Sequence, residues 1–301
     1  MLGVEFWQTI AFTEPDQLPE IARVAEAVGF TGLTIDDHLV TPASIASEYP
    51  YPETMARLMA ELPDAGASLW DPALPHLDPW CLASALAMAT SQLQFMTYVY
   101  ILPLRDPFSV AKAVSSAAVL SGNRVHLGVG VGWMAEEFAL TGQDFAARGR
   151  RADEMIDVIR ALLGGGMVEH HGAFYDFPPV QMAPVPTASV PVLAGGHSGR
   201  ALQRAARQDG WVGINYDVAQ VGPLLARLAT ARSSEGRGPH RAVVAFNTAP
   251  SLDDIKRLRD LGLSGVVNPP WLFHGTPRSS IDHKRATLEE YARRYIEPLQ
   301  R

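Results

Sequence analysis

Three short stretches hold residues whose types and spacing could carry chemistry. Asp36-Asp37-His38 sets two carboxylates beside an imidazole, and neighbouring carboxylates hold an imidazole near physiological pKa, where it works as acid or base. The tripeptide fits a capped turn with solvated acids equally well. A metal there would need further ligands, and no His-x-x-x-His or similar spacing lies nearby, so none is expected. The second stretch is Val190-Pro191-Val192-Leu193-Ala194 followed by Gly195-Gly196-His197-Ser198. It reads as a strand running into a helix. Two glycines let the backbone approach a ligand, and the free N–H groups of a helix start favour an anion such as a phosphate. Ser198 can cap the helix or bond a phosphate oxygen, and His197 can add a donor. A tight strand-to-helix turn with no ligand would look the same.

The third stretch is Gly128-Val129-Gly130-Val131-Gly132-Trp133. Alternate glycines in a buried strand make room for something flat or bulky, either a ligand or packing inside the fold. No acidic ribose partner follows at dinucleotide-fold spacing, which argues against a nicotinamide bound in the Rossmann manner. A Gly-x-Ser-x-Gly nucleophile elbow is absent, and His170-His171 lies in a polar loop.

The elements that must position these residues alternate between short apolar runs and helical patterns, the signature of βα units. Strands are expected at 4–11, 31–36, 93–102, 125–129, 190–194, 210–215, 242–248 and 265–268. The first helix opens at Thr13-Glu14-Pro15, carries Leu18, Ile21, Val24 and Val28, and closes at Gly29. Asp106-Pro107 caps another, with Phe108, Ala111, Val114 and Ala118 expected on its buried face. A third runs from Arg148 through Met155, Ile156, Ile159 and Leu163 to Gly164-Gly165-Gly166. Eight strands with eight helical connections predict a closed (β/α)8 TIM barrel, one domain over 1–301, rather than an open sheet. Three stretches are too long for simple barrel loops: 39–78, 168–187 and 269–282. The first and third leave the carboxyl ends of strands two and eight, where barrel active sites form, and are candidate lids. In barrels generally, phosphate sits on the loops after strands seven and eight; here the glycine loop follows strand five.

The 301 residues are 47% hydrophobic and 19% charged, with a net charge of −7 and no basic stripe. Nucleic acid and anionic membrane surfaces are therefore poor partners, and a phosphorylated ligand must be held locally. A single cysteine, Cys81, excludes an internal disulfide and cysteine-cluster metal sites. No apolar window reaches the roughly 18 residues of a membrane span. Val4-Glu5-Phe6-Trp7 follows the start directly, without a basic or long apolar leader, so a cytoplasmic location is expected.

Residues 104–211 resemble the luciferase-like monooxygenase superfamily, in particular its branch using the deazaflavin coenzyme F420. The match runs Arg105-Asp106-Pro107-Phe108, Ala111-Lys112, Leu120-Ser121-Gly122-Asn123-Arg124, Leu127 through Trp133, Glu136-Glu137-Phe138, Gly142, Phe145, Arg148-Gly149-Arg150-Arg151 and Asp153-Glu154. Gly195-Gly196-His197-Ser198 and Asp209-Gly210-Trp211 close it, and weaker matches extend through Asp37-His38 toward both ends.

The resemblance implies a barrel with F420, or alternatively FMN, at its mouth. It places Asp37 and His38 beside the ring as catalytic residues, with His38 a proton acceptor. It matches Thr97-Tyr98-Val99 to a non-prolyl cis peptide bulge behind the ring, although Tyr98 is bulkier than the small residue common there. Val131 and Gly132 match ring-proximal backbone, and Gly195, Gly196, His197 and Ser198 the phosphate cradle. Sugar-phosphate-oxidising relatives carry a glutamate at the position of Trp133, so a different small-molecule substrate is implied, against an apolar wall of Trp133 and Trp7. Relatives are commonly homodimers. The expected function is hydride transfer between F420 and a small organic substrate. The alternatives are an FMN-dependent monooxygenase and a barrel that binds a ligand without catalysis.

Overall fold

The computed structural model describes residues 3–51, 70–268, 271 and 280–300. Its barrel strands are β1 (Glu5–Thr9), β2 (Gly32–Ile35), β3 (Gln94–Thr97), β4 (Tyr100–Ile101), β5 (Val125–Gly130), β8 (Val192–Gly195), β9 (Gly210–Tyr216), β10 (Arg241–Phe246) and β11 (Gly265–Asn268). β3 and β4 are the two halves of the third expected strand, interrupted at the Tyr98–Val99 peptide, which is cis. Every pairing is parallel, in the order β3-β2-β1-β11-β10-β9-β8-β5-β4, and β3 also pairs with β5, which closes the barrel. This is the eight-stranded (β/α)8 architecture that the strand spacing predicts.

Helices α1 (Leu18–Ala27), α2 (Pro79–Ala87), α3 (Pro107–Ser121), α5 (Arg148–Gly164), α6 (Gly199–Arg207), α7 (Val218–Ser234), α8 (Leu252–Asp260) and α9 (Ile281–Tyr291) cover the outside. A short extra helix, α4 (Ala135–Leu140), sits in the loop after β5. On α1, Leu18, Ile21, Ala22 and Ala25 are buried. On α3, Asp106 accepts from the Ser109 N–H at 2.8 Å, and Val110, Ala111, Val114 and Ala118 face the core. Phe108 does not share that face. It is 41% exposed and packs edge-on against Phe177, 4.9 Å away. Phe177 belongs to an antiparallel hairpin, β6 (Val168–His171) with β7 (Asp176–Val180), which occupies the long stretch before β8. Of the two candidate lids, 39–51 and 70–78 are described and 52–69 are not; of 269–282, only Trp271 and 280–282 are described.

The barrel interior is filled, not hollow. Trp7, Met96, Leu193, Val212, Val243 and Val267 form its inner cluster, with Tyr98, Val99 and Ala245 packed on it. Trp7 is fully buried there and does not line the substrate cavity expected of it. Its indole N–H donates to Glu5 at 3.0 Å, and its ring meets His126 edge-on at 5.6 Å. Strand alternation points a residue inward but does not say at which level of the barrel it sits.

Among the described residues no helix is long and apolar enough to cross a membrane.

Candidate active site

A cavity of about 710 Å³ opens at the carboxyl ends of the barrel strands. Its floor is the β3–β4 interruption. The Tyr98 hydroxyl donates to the Gly213 carbonyl and accepts from the Ala245 N–H at 3.0 Å, tying this strand to β9 and β10 across the barrel. Thr97 is buried below the cavity, its hydroxyl donating to the Gly128 carbonyl at 2.8 Å, and it does not line the space. The alternate glycines of β5 turn out to serve packing: a Cβ at Gly128 would collide with the Thr97 carbonyl oxygen, and one at Gly130 with the Val99 side chain. Tyr98, Val99, Val131, Gly132 and Trp133 do line the cavity.

Asp37 and His38 end β2 on this rim, where their fates diverge. Asp37 is buried, and both of its oxygens sit in the fork of Arg105 at 2.8 Å while the Ile101 N–H donates to one of them at 2.8 Å. Its bidentate ion pair fixes the β2 and β4 ends together, which makes it a positioning residue of the cavity wall it lines. His38 keeps its ring in the cavity and holds Glu137, on α4, through Nδ1 at 3.0 Å. Glu137 is 1% exposed, and its other oxygen accepts from the Leu39 N–H at 3.0 Å. A carboxylate on Nδ1 makes that nitrogen the donor and leaves Nε2 as the acceptor.

Next to Glu137, Glu136 accepts from the N–H groups of Ala46 and Ser47 at 2.7 and 3.0 Å and from the Ser47 hydroxyl at 2.8 Å. The Ser47 hydroxyl and these N–H groups hold the Glu136 carboxyl down to about 2. The two glutamates of α4 thus strap the segment after β2 across the mouth. It brings Tyr49 and Tyr51, and its far arm brings Trp70 and His76, all lining the cavity. Tyr49, Trp70 and Trp133 pack on one another with ring centroids 5.0 to 5.6 Å apart.

The opposite rim is the glycine loop. Gly196 has φ +102, and a Cβ on it would lie 2.9 Å from Ala201, so only glycine fits this turn. Ser198 is the N-cap of α6 and accepts from the Ala201 N–H at 3.2 Å. The first N–H groups of a helix have no acceptor within it, which leaves those of Gly199 and Arg200 for a ligand. His197 Nδ1 lies 3.1 Å from the Tyr216 hydroxyl. Arg148 also lines the cavity, donating to the Gly132 and Phe145 carbonyls at 3.1 and 2.8 Å and lying over the Phe145 ring at 3.8 Å. It is the single arginine or lysine of the lining among the described residues. A glycine cradle, unclaimed helix N–H donors and one guanidinium fit a phosphate group, with room beside them for a tricyclic ring.

Glu137, His76 and Arg148 were not singled out from sequence. Glu137 and Arg148 lay inside the family-like stretch, but nothing local distinguished them from ordinary first-turn charges. His76 stood in a proline-rich segment without periodicity.

Residues 5–260 match the luciferase-like monooxygenase family. The chain belongs to that family. An uncharacterized protein of Mycobacterium tuberculosis is 39% identical to this luciferase-like protein over 280 residues, covering 92% of the chain and 93% of the relative. Among solved structures, monooxygenase RslO1 from Streptomyces bottropensis superposes with a TM-score of 0.75 at 15% identity, covering 98% of this chain and 99% of that one. The coenzyme F420 dependent tetrahydromethanopterin reductase of Methanopyrus kandleri superposes with a TM-score of 0.73 at 15% identity, over 99% and 100% of the two chains. Family membership makes this chain an oxidoreductase or monooxygenase, and the two structural neighbours share its barrel.

Proposed function

We propose that the protein is an F420-dependent oxidoreductase that passes a hydride between the deazaflavin and a small organic substrate. The observation that carries this reading is the charge of the phosphate cradle. Arg148 is the single arginine or lysine lining the cavity among the described residues, and Arg200 of the same cradle is exposed. A phosphate monoester such as that of FMN carries about −1.5 to −2 at neutral pH, whereas the phosphodiester of F420 carries one negative charge, which one guanidinium matches. His197 through Arg200 are exposed, so the tail beyond that phosphodiester has a path to solvent.

Gly196 and the N–H groups of Gly199 and Arg200 would hold the phosphate, with Arg148 as its counter-charge. Val131, Gly132 and the Tyr98–Val99 backbone would bound the ring. When bound, a deazaflavin supplies a ring carbon that gives or takes a hydride and reacts poorly with oxygen. The chain supplies position and dryness. Its aromatic strap excludes water, and His38 Nε2, kept an acceptor by Glu137, holds the proton that accompanies the hydride.

Parallel titrations with F420 and FMN, followed by ring fluorescence, test the proposal. F420 is expected to bind and FMN to bind at least tenfold more weakly. Tight FMN binding with no F420 response would overturn it in favour of an FMN-dependent monooxygenase.

A further inference from the structure

The strap that Glu136 and Glu137 hold on one side of the mouth also reaches the other side. Its tyrosines meet the carboxyl end of β9 and the glycine loop. The Asn215 side-chain amide donates to the Tyr49 hydroxyl at 3.1 Å, across 166 positions of sequence. The Tyr51 ring stands edge-on to His197 at 5.6 Å and to Tyr216 at 6.3 Å. Tyr216 and His197 are joined in turn, the hydroxyl lying 3.1 Å from Nδ1. One end of the strap thus rests on a residue of the phosphate cradle.

The backbone of β9 is shaped for this contact. Val244 pairs with Gly213 but Phe246 with Tyr216, so β9 carries one residue more than β10 over that interval. Bulges of this kind re-aim side chains beside active sites. Asn215 lies in the bulge at φ +63, a left-handed conformation that asparagine tolerates better than most residues, and it lines the cavity. The Tyr98 hydroxyl bridges the gap, accepting from the Ala245 N–H and donating to the Gly213 carbonyl. The bulged strand end offers Asn215 to Tyr49, and Tyr216 to His197.

We propose that Tyr51 makes the strap part of the phosphate site: it seats His197, and a phosphate bound on the glycine loop in turn holds the strap closed. This coupling rests on the phosphate reading of the loop and is indifferent to the ring that the phosphate carries. With the Tyr216 hydroxyl donating to Nδ1, the His197 proton sits on Nε2, where a phosphate oxygen can accept it. His197 is otherwise exposed on its loop. A ring already fixed by Tyr51 loses less freedom when the anion arrives. The anion therefore binds the closed strap better than the open one, and only such a difference shifts an equilibrium. Tyr51 is a positioning residue, acting through His197. Phosphate binding thereby completes the aromatic wall in which Tyr49 packs on Trp70 and Trp133.

The probe is inorganic phosphate, added to the full chain without cofactor and compared with chloride at equal ionic strength. A phosphorus NMR titration reads its affinity. Hydrogen–deuterium exchange, read by mass spectrometry, follows the strap, whose Leu39, Ala46 and Ser47 N–H groups are bonded to Glu137 and Glu136. In the wild type, saturating phosphate should slow exchange over 39–51 by about fivefold or more, the low end of ordinary coupling between two sites. Because coupling is reciprocal, Tyr51→Ala should bind phosphate more weakly by the same factor and lose the slowing. Tyr51→Phe, which keeps the ring, should retain both. Phosphate that binds the wild type but leaves exchange over 39–51 unchanged overturns the proposal, as does slowing that survives in Tyr51→Ala or Gly196→Asp. Absence of phosphate binding overturns the cradle reading and the coupling together. Tight FMN binding in the parallel titration would sink the deazaflavin reading alone.

Discussion

The barrel carries a histidine at each end, and the two are treated in opposite ways. Near the amino ends of the strands, His126 is enclosed. Its Nε2 is 2.6 Å from Gln94 Oε1, Arg241 donates to its Nδ1 at 2.9 Å, and Trp7 covers it edge-on. Burial, aided by the Arg241 charge, drives its pKa down to about 3. It is a neutral structural group. At the carboxyl ends, His38 gives one nitrogen to Glu137 and keeps its ring in the cavity. The difference lies in the partners: an enclosed ring bonded on both nitrogens can only stabilise, while a ring bonded on one nitrogen beside an open cavity can exchange a proton. Floor variants should therefore change stability and leave binding alone, and mouth variants should do the reverse.

The largest expected effect is at the mouth. His38→Asn should slow single-turnover hydride transfer from reduced F420 to any acceptor that the wild type turns over by about 10²–10⁴-fold, the range for loss of a general acid–base group. F420 affinity and melting temperature should barely move. Unaltered turnover would take His38 out of the chemistry and leave the two ends of the barrel alike.

At the floor, Trp7→Ala should cost about 3–5 kcal/mol of unfolding free energy, as expected for a fully buried indole, with F420 affinity within threefold. Urea denaturation and the fluorescence titration measure the two quantities. A variant of unchanged stability that loses ligand would return Trp7 to the cavity wall.

The smallest effect is a slope. Folded His126 stays neutral down to about pH 3, whereas in the unfolded chain it takes a proton near 6.5. Below about 6.5 the unfolded state binds the extra proton, so this contribution to stability is present above that pH and is lost as pH falls toward 3. Between pH 6.5 and 4.5 the wild type should lose about 2 kcal/mol more than His126→Gln. Equal losses would mean that His126 is not held neutral.

Much of this contrast was legible in the sequence, though unevenly. All eight barrel strands could be read because parallel strands buried on both faces are near-continuous apolar runs. The cradle was legible because glycines, a cap residue and a helix start are local signals. The pairing of Glu137 with His38 spans 99 positions and leaves no periodic trace. The glycines of β5 could be seen to make room, but not for whom; the answer, Thr97 and Val99, depends on a strand interruption that only the resemblance suggested. Trp7 was placed on the wrong level because inward-pointing positions look the same at the floor and at the mouth. Phe108 was assigned to the core by its spacing, while a hairpin far along the chain covers it instead.

The central claim, that the mouth holds a deazaflavin by its phosphate on the glycine loop, is tested most directly by titrating F420 into the wild type and Gly196→Asp. A side chain at this turn meets φ +102 and Ala201 at 2.9 Å, and the added carboxylate repels a phosphate. The wild type should bind, and Gly196→Asp should bind at least 100-fold more weakly while its far-ultraviolet circular dichroism stays that of the wild type. Equal affinity in the two proteins would contradict the account.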